Sequence, residues 1–255
     1  MTPMPTTLAG NSRAANALAD LQRDGFAVVP NWLDRAEAEA LQPLLDTWID
    51  GHGDRVQHKG DDRVFGAEHI SPAIAAFKHD AALEGIAAAY MGSEQKALFT
   101  LANRLRATPG KKTRSGGRWH RDRKGRQFKS LVYLTDCVRR NGAFCIVRRS
   151  ARPEPFTDAI AATSFAFPDV RWDDDEIEPF LARLGDEVVP IEGAAGTLVL
   201  FDSSLIHSGL PIRVGHRYAL TNYYYAADEI DLARMADKFA PAVQPFEMPH
   251  FSRAA

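Results

Sequence analysis

The chain has 255 residues, 45% of them apolar, and a formal net charge of −2. One domain with a sizeable core is the plain expectation, and the charge excludes the overall basic excess that holds nucleic acid. Two cysteines, Cys137 and Cys145, are too few for a disulfide framework. No apolar run approaches the ~20 residues that span a bilayer. Residues 1–12 lack the charged and apolar regions of a secretory leader, so a cytoplasmic protein is expected.

Residues 1–12 are rich in Pro, Thr and Gly, and a flexible end is expected there. Residues 14–25 carry Leu18 and Leu21 at helical spacing and stop at Asp24-Gly25. Residues 26–30 form a short strand. Asp34 then caps a helix running to about Ile49, with Ala38, Leu41, Leu44, Leu45 and Trp48 on one face. Residues 51–66 are a polar loop, and residues 74–90 give one or two further helices.

From Gln95 the pattern changes to short apolar runs bounded by Gly, Pro and Asp. The runs cover 97–107, 117–122, 128–135, 143–147, 186–191, 197–201 and 217–225. Such spacing predicts an antiparallel core. The fold class is therefore mainly β with flanking helices, a double-stranded β-helix of the jelly-roll, cupin-like kind. The whole chain is taken as a single domain. A long interruption at 152–185, with a helix over 177–184, is either a lid or a surface insertion.

The chemistry centres on Trp119-His120-Arg121-Asp122. In an extended strand, residues two apart share a face, so His120 and Asp122 present an imidazole and a carboxylate side by side. With a distant second His, that pair makes the facial triad of a non-haem Fe(II) oxygenase. A second His-x-Asp, His52-Gly53-Asp54, lies among glycines with no apolar strand beside it and is read as a solvated turn. His207 follows a Gly-initiated apolar strand and a turn, and Arg217 opens the next strand ten residues later. His58, His69, His79, His216 and His250 are read as structural. An arginine buried in such a barrel needs an anion, and its planar fork suits a carboxylate. A dicarboxylate held by the metal at one end and by Arg217 at the other would supply it. Arg213 precedes the strand and is expected to face solvent.

These motifs, taken in order with residues 128–136, Asn141-Gly142-Ala143-Phe144 and Gly196, resemble the phytanoyl-CoA dioxygenase family over roughly residues 17–225. The resemblance implies Fe(II), 2-oxoglutarate and O2, with His120, Asp122 and His207 as metal ligands and Arg217 on the distal 2-oxoglutarate carboxylate. It implies hydroxylation of an unactivated C–H of a small molecule, with release of succinate and CO2. Tyr133, Asn103, Arg106 and Ser208 are weaker candidates for cosubstrate or substrate contacts. Tyr133 is equally well read as a core aromatic, and Asn103 and Arg106 as satisfied polar residues at the sheet edge. The chain departs from the family's Pro-Gly-Ser-His-like turn, with Val147-Arg148-Arg149-Ser150-Ala151-Arg152 in its place, so no particular substrate is implied.

Between Lys111 and Lys129 stand nine basic residues against one acid, Asp122. They either draw an anionic substrate or pair with the acids of residues 173–178 across the mouth. A cupin-like metal-binding protein, or an isomerase without oxygenase activity, is the alternative function. Arg217 distinguishes the two, because only the oxygenase needs a carboxylate clamp. Nucleic acid and membrane are not expected as partners.

Overall fold

A computed structural model describes residues 12–163 and 165–229. Apart from Ser12, the end expected to be flexible lies outside the described residues, as does His250. Helix α1 (Ser12–Asp24) buries Ala14, Ala17, Leu18 and Leu21 and gives way at Gly25 to strand β1 (Phe26–Val29). Helix α2 (Arg35–Gly51) follows Asp34, whose backbone N–H donates to the Glu37 carboxylate. Its buried face is Ala38, Leu41, Leu45 and Ile49, whereas Leu44, expected on that face, is exposed.

The polar loop expected over 51–66 instead holds two short strands, β2 (Gln57–His58) and β3 (Asp62–Phe65). They form the edge of the large sheet, where Val64 alone among their side chains is buried, so no alternating apolar signal marks them. Helices α3 (Pro72–Lys78) and α4 (Ala81–Met91) are capped by the side chains of Ser71 and Asp80. Then come β4 (Gln95–Arg106), β5 (Phe128–Tyr133) and β6 (Phe144–Val147). Helices α5 (Thr157–Ala161) and α6 (Asp174–Leu181) lie in the interruption. Strands β7 (Val188–Ile191), β8 (Leu198–Asp202), β9 (His207–Gly209) and β10 (His216–Ala226) complete the described chain.

The strands form two sheets, ordered β1-β8-β5-β10-β4-β3-β2 and β7-β6-β9, with antiparallel pairing throughout. The period of two along each strand divides the apolar side chains between two cores. Leu198 and Leu200 of β8, Phe128 and Val132 of β5, and Tyr218 and Leu220 of β10 pack outward against the helices. Val199 and Phe201, Leu131 and Tyr133, and Ala219 pack inward against Phe144 and Ile146 of the small sheet. The result is a jelly roll with a helical layer on the large sheet. None of the described helices is long and apolar enough to cross a membrane.

Two further expectations are corrected. Residues 117–122 are not a strand, because Gly116 and Gly117 both hold positive φ, at 79° and 78°, and turn the chain there. His120 instead makes isolated antiparallel bridges to His207 and Arg171. The helix expected over 177–184 starts earlier, after Asp173, whose N–H donates to Glu176 at 2.8 Å. The interruption is not bare loop either. Phe156, Phe165, Phe167, Trp172, Ile177 and Phe180 are buried with Trp119, Val147 and Ile206 in a third apolar cluster.

Candidate metal centre

The backbone sets the site before any side chain does. His120 N–H donates to His207 O at 3.0 Å, and His207 N–H donates to His120 O at 2.8 Å. Asp122 N–H donates to Ser203 O at 2.9 Å, fixing the third residue to the turn that precedes His207. Gly209, two residues beyond His207, has to be glycine for this approach, since a Cβ there would lie 2.5 Å from Ser115 O.

Each imidazole then has its orientation and tautomer assigned by a carbonyl. The Nδ1 atoms of His120 and His207 lie 2.7 Å from Arg118 O and 2.8 Å from Leu205 O. A carbonyl only accepts, so both Nδ1 atoms carry the proton and both Nε2 atoms present a lone pair. Asp122 Oδ1 is 3.6 Å from His120 Nε2, and Oδ2 is 3.9 Å from His207 Nε2. The three donor atoms fall within 4.8 Å of one another, close enough to share a metal ion. Burial pushes His207 down to about 3 and lowers His120 as well. Burial would raise Asp122, but the Lys129 ammonium against it outweighs that and holds the carboxyl well below its usual range. Two neutral imidazoles and one carboxylate are the protonation states that a divalent metal requires.

These residues line a cavity of about 190 Å³ between the sheets, with Leu101, Leu131, Phe144, Phe201 and Thr221 as much of its wall. Arg217 lines it from β10, buried, donating from Nη1 to Gly142 O at 2.7 Å and from Nη2 to Asn103 Oδ1 at 3.1 Å. Its Nε is buried without a partner.

The sequence profile of the family described as phytanoyl-CoA dioxygenase (PhyH) covers residues 21–217, a stretch holding all three candidate ligands and ending on Arg217. The chain belongs to the phytanoyl-CoA dioxygenase family. No curated protein matches it in sequence. Several solved structures share its fold. The epimerase SnoN, in complex with Fe3+, alpha ketoglutarate and nogalamycin RO, superposes with a TM-score of 0.63 at 18% identity over 84% of each chain. EctD from S. alaskensis, with 2-oxoglutarate and 5-hydroxyectoine, gives 0.65 at 21% identity over 86% of this chain and 78% of that one. HygX from Streptomyces hygroscopicus, with nickel and 2-oxoglutarate, gives 0.60 at 15% identity over 83% of this chain and 86% of that one.

Within this member of the phytanoyl-CoA dioxygenase family, the weaker candidates separate. Asn103 reaches the cavity and links Arg217 to Asp61, donating to Asp61 Oδ2 at 2.5 Å. Asp61 is in turn held by Ser115 and Arg63, both at 2.8 Å. Arg106 does not reach the cavity. Three residues from Asn103 along one strand, it faces the other way, half exposed, and pairs with Asp46. The Tyr133 hydroxyl is spent inside the core, donating to Ile191 O at 2.9 Å and accepting from Phe144 N–H at 3.1 Å. Ser208 donates to Gly117 O at 3.3 Å and to Gly209 O at 3.1 Å, holding the glycine turn and not the cavity. Arg213 is exposed, as expected.

The basic run divides as well. Arg114 and Lys112 pair with Asp174, at 2.6 and 3.4 Å, and Arg118 pairs with Asp173, which ties the run to the start of α6 with ion pairs. Arg121 turns away from the metal centre into the aromatic cluster, 4.5 Å from the Phe167 ring and 5.5 Å from that of Trp172. Burial brings it down to about 10. Arg171 lines the cavity mouth and has no hydrogen bond or ion pair among the described residues.

Sequence reasoning had counted Lys129 only as one charge in a run. Its Nζ lies 2.5 Å from Asp122 Oδ2. The missed signal was strand parity, which puts Lys129 on the same inward face as Leu131 and Tyr133.

Proposed function

We propose that the chain is an Fe(II)- and 2-oxoglutarate-dependent dioxygenase that hydroxylates an unactivated C–H of a small anionic molecule in the cytoplasm, releasing succinate and CO2. His120, Asp122 and His207 are the ligands in this reading. The donor set fits Fe(II), with two neutral imidazoles and one carboxylate on one side of a cavity that leaves the other side open. The observation that carries the reading is Arg217, a buried cation that lines the same cavity with an unsatisfied Nε. Unpaired buried charge is costly, and a bidentate carboxylate is the natural partner of a guanidinium.

Iron with 2-oxoglutarate and O2 supplies the oxidising chemistry; the chain's residues bind, orient and exclude water. Gly142 O and Asn103 Oδ1 aim the Arg217 fork, so that the distal carboxylate of 2-oxoglutarate meets a fixed donor pair. Leu101, Leu131, Phe144 and Phe201 keep water from the space between that carboxylate and the ligands. Arg171, which forms no ion pair among the described residues, is the group that an anionic substrate would meet.

The epimerase among the relatives of this fold is alpha ketoglutarate dependent, so it is not the isomerase without oxygenase activity; that alternative would form no succinate. The experiment is formation of succinate from 2-oxoglutarate by the iron-loaded protein in air. Turnover in the wild type and none in His207→Ala is expected. A wild type that binds iron yet forms no succinate, with any candidate substrate or without one, would reject the oxygenase.

A further inference from the structure

Lys129 has no assigned part in the reaction just described, and its surroundings are specific. Its side chain is 4% accessible, at a mid-sheet position where β5 pairs with both β8 and β10. Its ammonium has two neighbours of note, the Asp122 carboxylate at 2.5 Å and the ring of its cross-strand partner Tyr223 at 3.6 Å. Among the described residues, Asp122 is the one carboxylate with which it forms an ion pair, and Asp122 pairs with no other lysine or arginine.

The three candidate ligands are unequal in charge. The imidazoles are neutral, and Asp122 alone brings a full charge, on a side chain 28% accessible whose neighbours, Lys129 and the two imidazoles, are 4%, 9% and 5% accessible. A carboxylate turned toward so dry a neighbourhood is better held with a cation beside it. When a metal is bound, the metal is that cation. In the metal-free protein something else has to be, and the Lys129 ammonium stands between Asp122 and the Tyr223 ring to do it. Resting on the reading of His120, Asp122 and His207 as metal ligands, we propose that Lys129 is the site's internal counter-ion: it neutralises Asp122 until a divalent cation arrives, and the cation then binds against its charge.

Two consequences follow from electrostatics. The ligand set stays charge-balanced without metal, so the cavity does not depend on iron for its shape. Affinity for the divalent ion is lower than the same three ligands would give alone, because a unit positive charge stands one carboxylate away. A residue that merely oriented Asp122 would have the opposite effect, since its removal would weaken metal binding.

The sign of the change is therefore the test. Full-length protein stripped by chelator is titrated with Co(II), as wild type and as Lys129→Met, Lys129→Gln and Lys129→Arg. The neutral variants should bind Co(II) at least about tenfold more tightly, the effect of removing one nearby like charge. Lys129→Arg should stay within roughly threefold of wild type, since it keeps the charge. In urea, the stripped Lys129→Met protein should unfold before the wild type, and saturating Co(II) should close that gap. Should the methionine variant not fold, Lys129→Gln keeps a donor for Asp122 without the charge and carries the same expectation. Unchanged or weaker Co(II) binding in a folded neutral variant overturns the proposal while leaving the metal site intact. A wild type that binds no Co(II) overturns the metal reading and this one with it.

Discussion

The chain contains His-x-Asp twice, and the two copies have opposite fates. His52 stacks on Trp48, with ring centroids 4.7 Å apart, and its Nδ1 bonds to Trp48 O at 2.9 Å. Asp54 is exposed, and among the described residues its ion pair is with the neighbouring Arg55, at 3.9 Å. That copy closes the end of α2. His120 and Asp122 are pinned by backbone hydrogen bonds to His207 and Ser203, and their side chains converge on one cavity. A tripeptide does not make a metal site. What marks the other copy as a candidate is a strand, β9, that supplies the third donor, carbonyls that aim each Nε2 inward, and a buried setting that keeps the imidazoles neutral.

The largest expected effect breaks that contrast at its strong end. His120→Ala or His207→Ala should lower Fe(II) affinity by more than about a hundredfold, because even partners that sit behind metal ligands are worth 10–100-fold. Direct metal titration of the folded variants measures it, and a stoichiometric site surviving either change would reject the triad. Next comes Arg217→Ala. Truncating a charge-assisted fork in a dry site costs on the order of 2–4 kcal/mol, and each ~1.4 kcal/mol is tenfold, so 2-oxoglutarate should bind roughly thirtyfold or more weakly. Metal affinity should hardly move, and Arg213→Ala should bind the cosubstrate as wild type does.

Arg121 sharpens the comparison from the other side. It is as buried as Arg217 and also has an unpartnered Nε, yet it packs among Phe167 and Trp172 and does not line the cavity that holds the candidate ligands. Arg121→Met should leave 2-oxoglutarate affinity within about threefold. Urea stability should change by no more than about 1–2 kcal/mol, since a cation–π contact is lost and a desolvated charge is relieved. A thirtyfold loss of cosubstrate affinity would show that the two arginines act together.

A smaller, pH-dependent effect is expected in the 152–185 segment. The Arg114 guanidinium, bonded to Asp174, lowers that carboxyl from its ordinary value of 3.8. A carboxyl depressed in the folded state adds stability that is complete above the unfolded value and is lost as the pH falls through the folded one. Amide protection across α6 should therefore drop as the pH is taken from 6 to below that ordinary value of 3.8. Asp174→Asn should remove that pH dependence and leave only a flatter baseline. Protection that is strong and unchanged at every pH would make the segment a static part of the core. The smallest effect belongs to the decoy: His52→Ala should alter neither metal nor cosubstrate binding.

Much of the fold was legible because its signals are periodic. The two-residue alternation of β5, β8 and β10 marks strands with one face in each core, and Leu18 and Leu21 mark α1. β2 and β3 gave no such signal, since a polar edge strand alternates nothing. Residues 117–122 misled because one bridging residue on either side suffices to place His120, and no strand is needed. At the site, His120, Asp122, His207 and Arg217 were legible as a spaced set. Arg106 could have been excluded by its odd spacing from Asn103 on one strand, and the inward position of Lys129 by the parity of β5. That Tyr133 spends its hydroxyl on Ile191 and Phe144 depends on how the two sheets face each other, which no local pattern encodes.

The central claim is that one copy of the motif, with His207 and Arg217, binds iron and 2-oxoglutarate together. Anaerobic titration of the Fe(II)-loaded protein with 2-oxoglutarate, followed by the visible metal-to-ligand charge-transfer band, tests it most directly. The account predicts a band saturating at one equivalent in the wild type and in His52→Ala, a band reached only at much higher 2-oxoglutarate in Arg217→Ala, and no band in His207→Ala. An iron-loaded wild type that develops no band, or a His207→Ala protein that develops the full one, would contradict it.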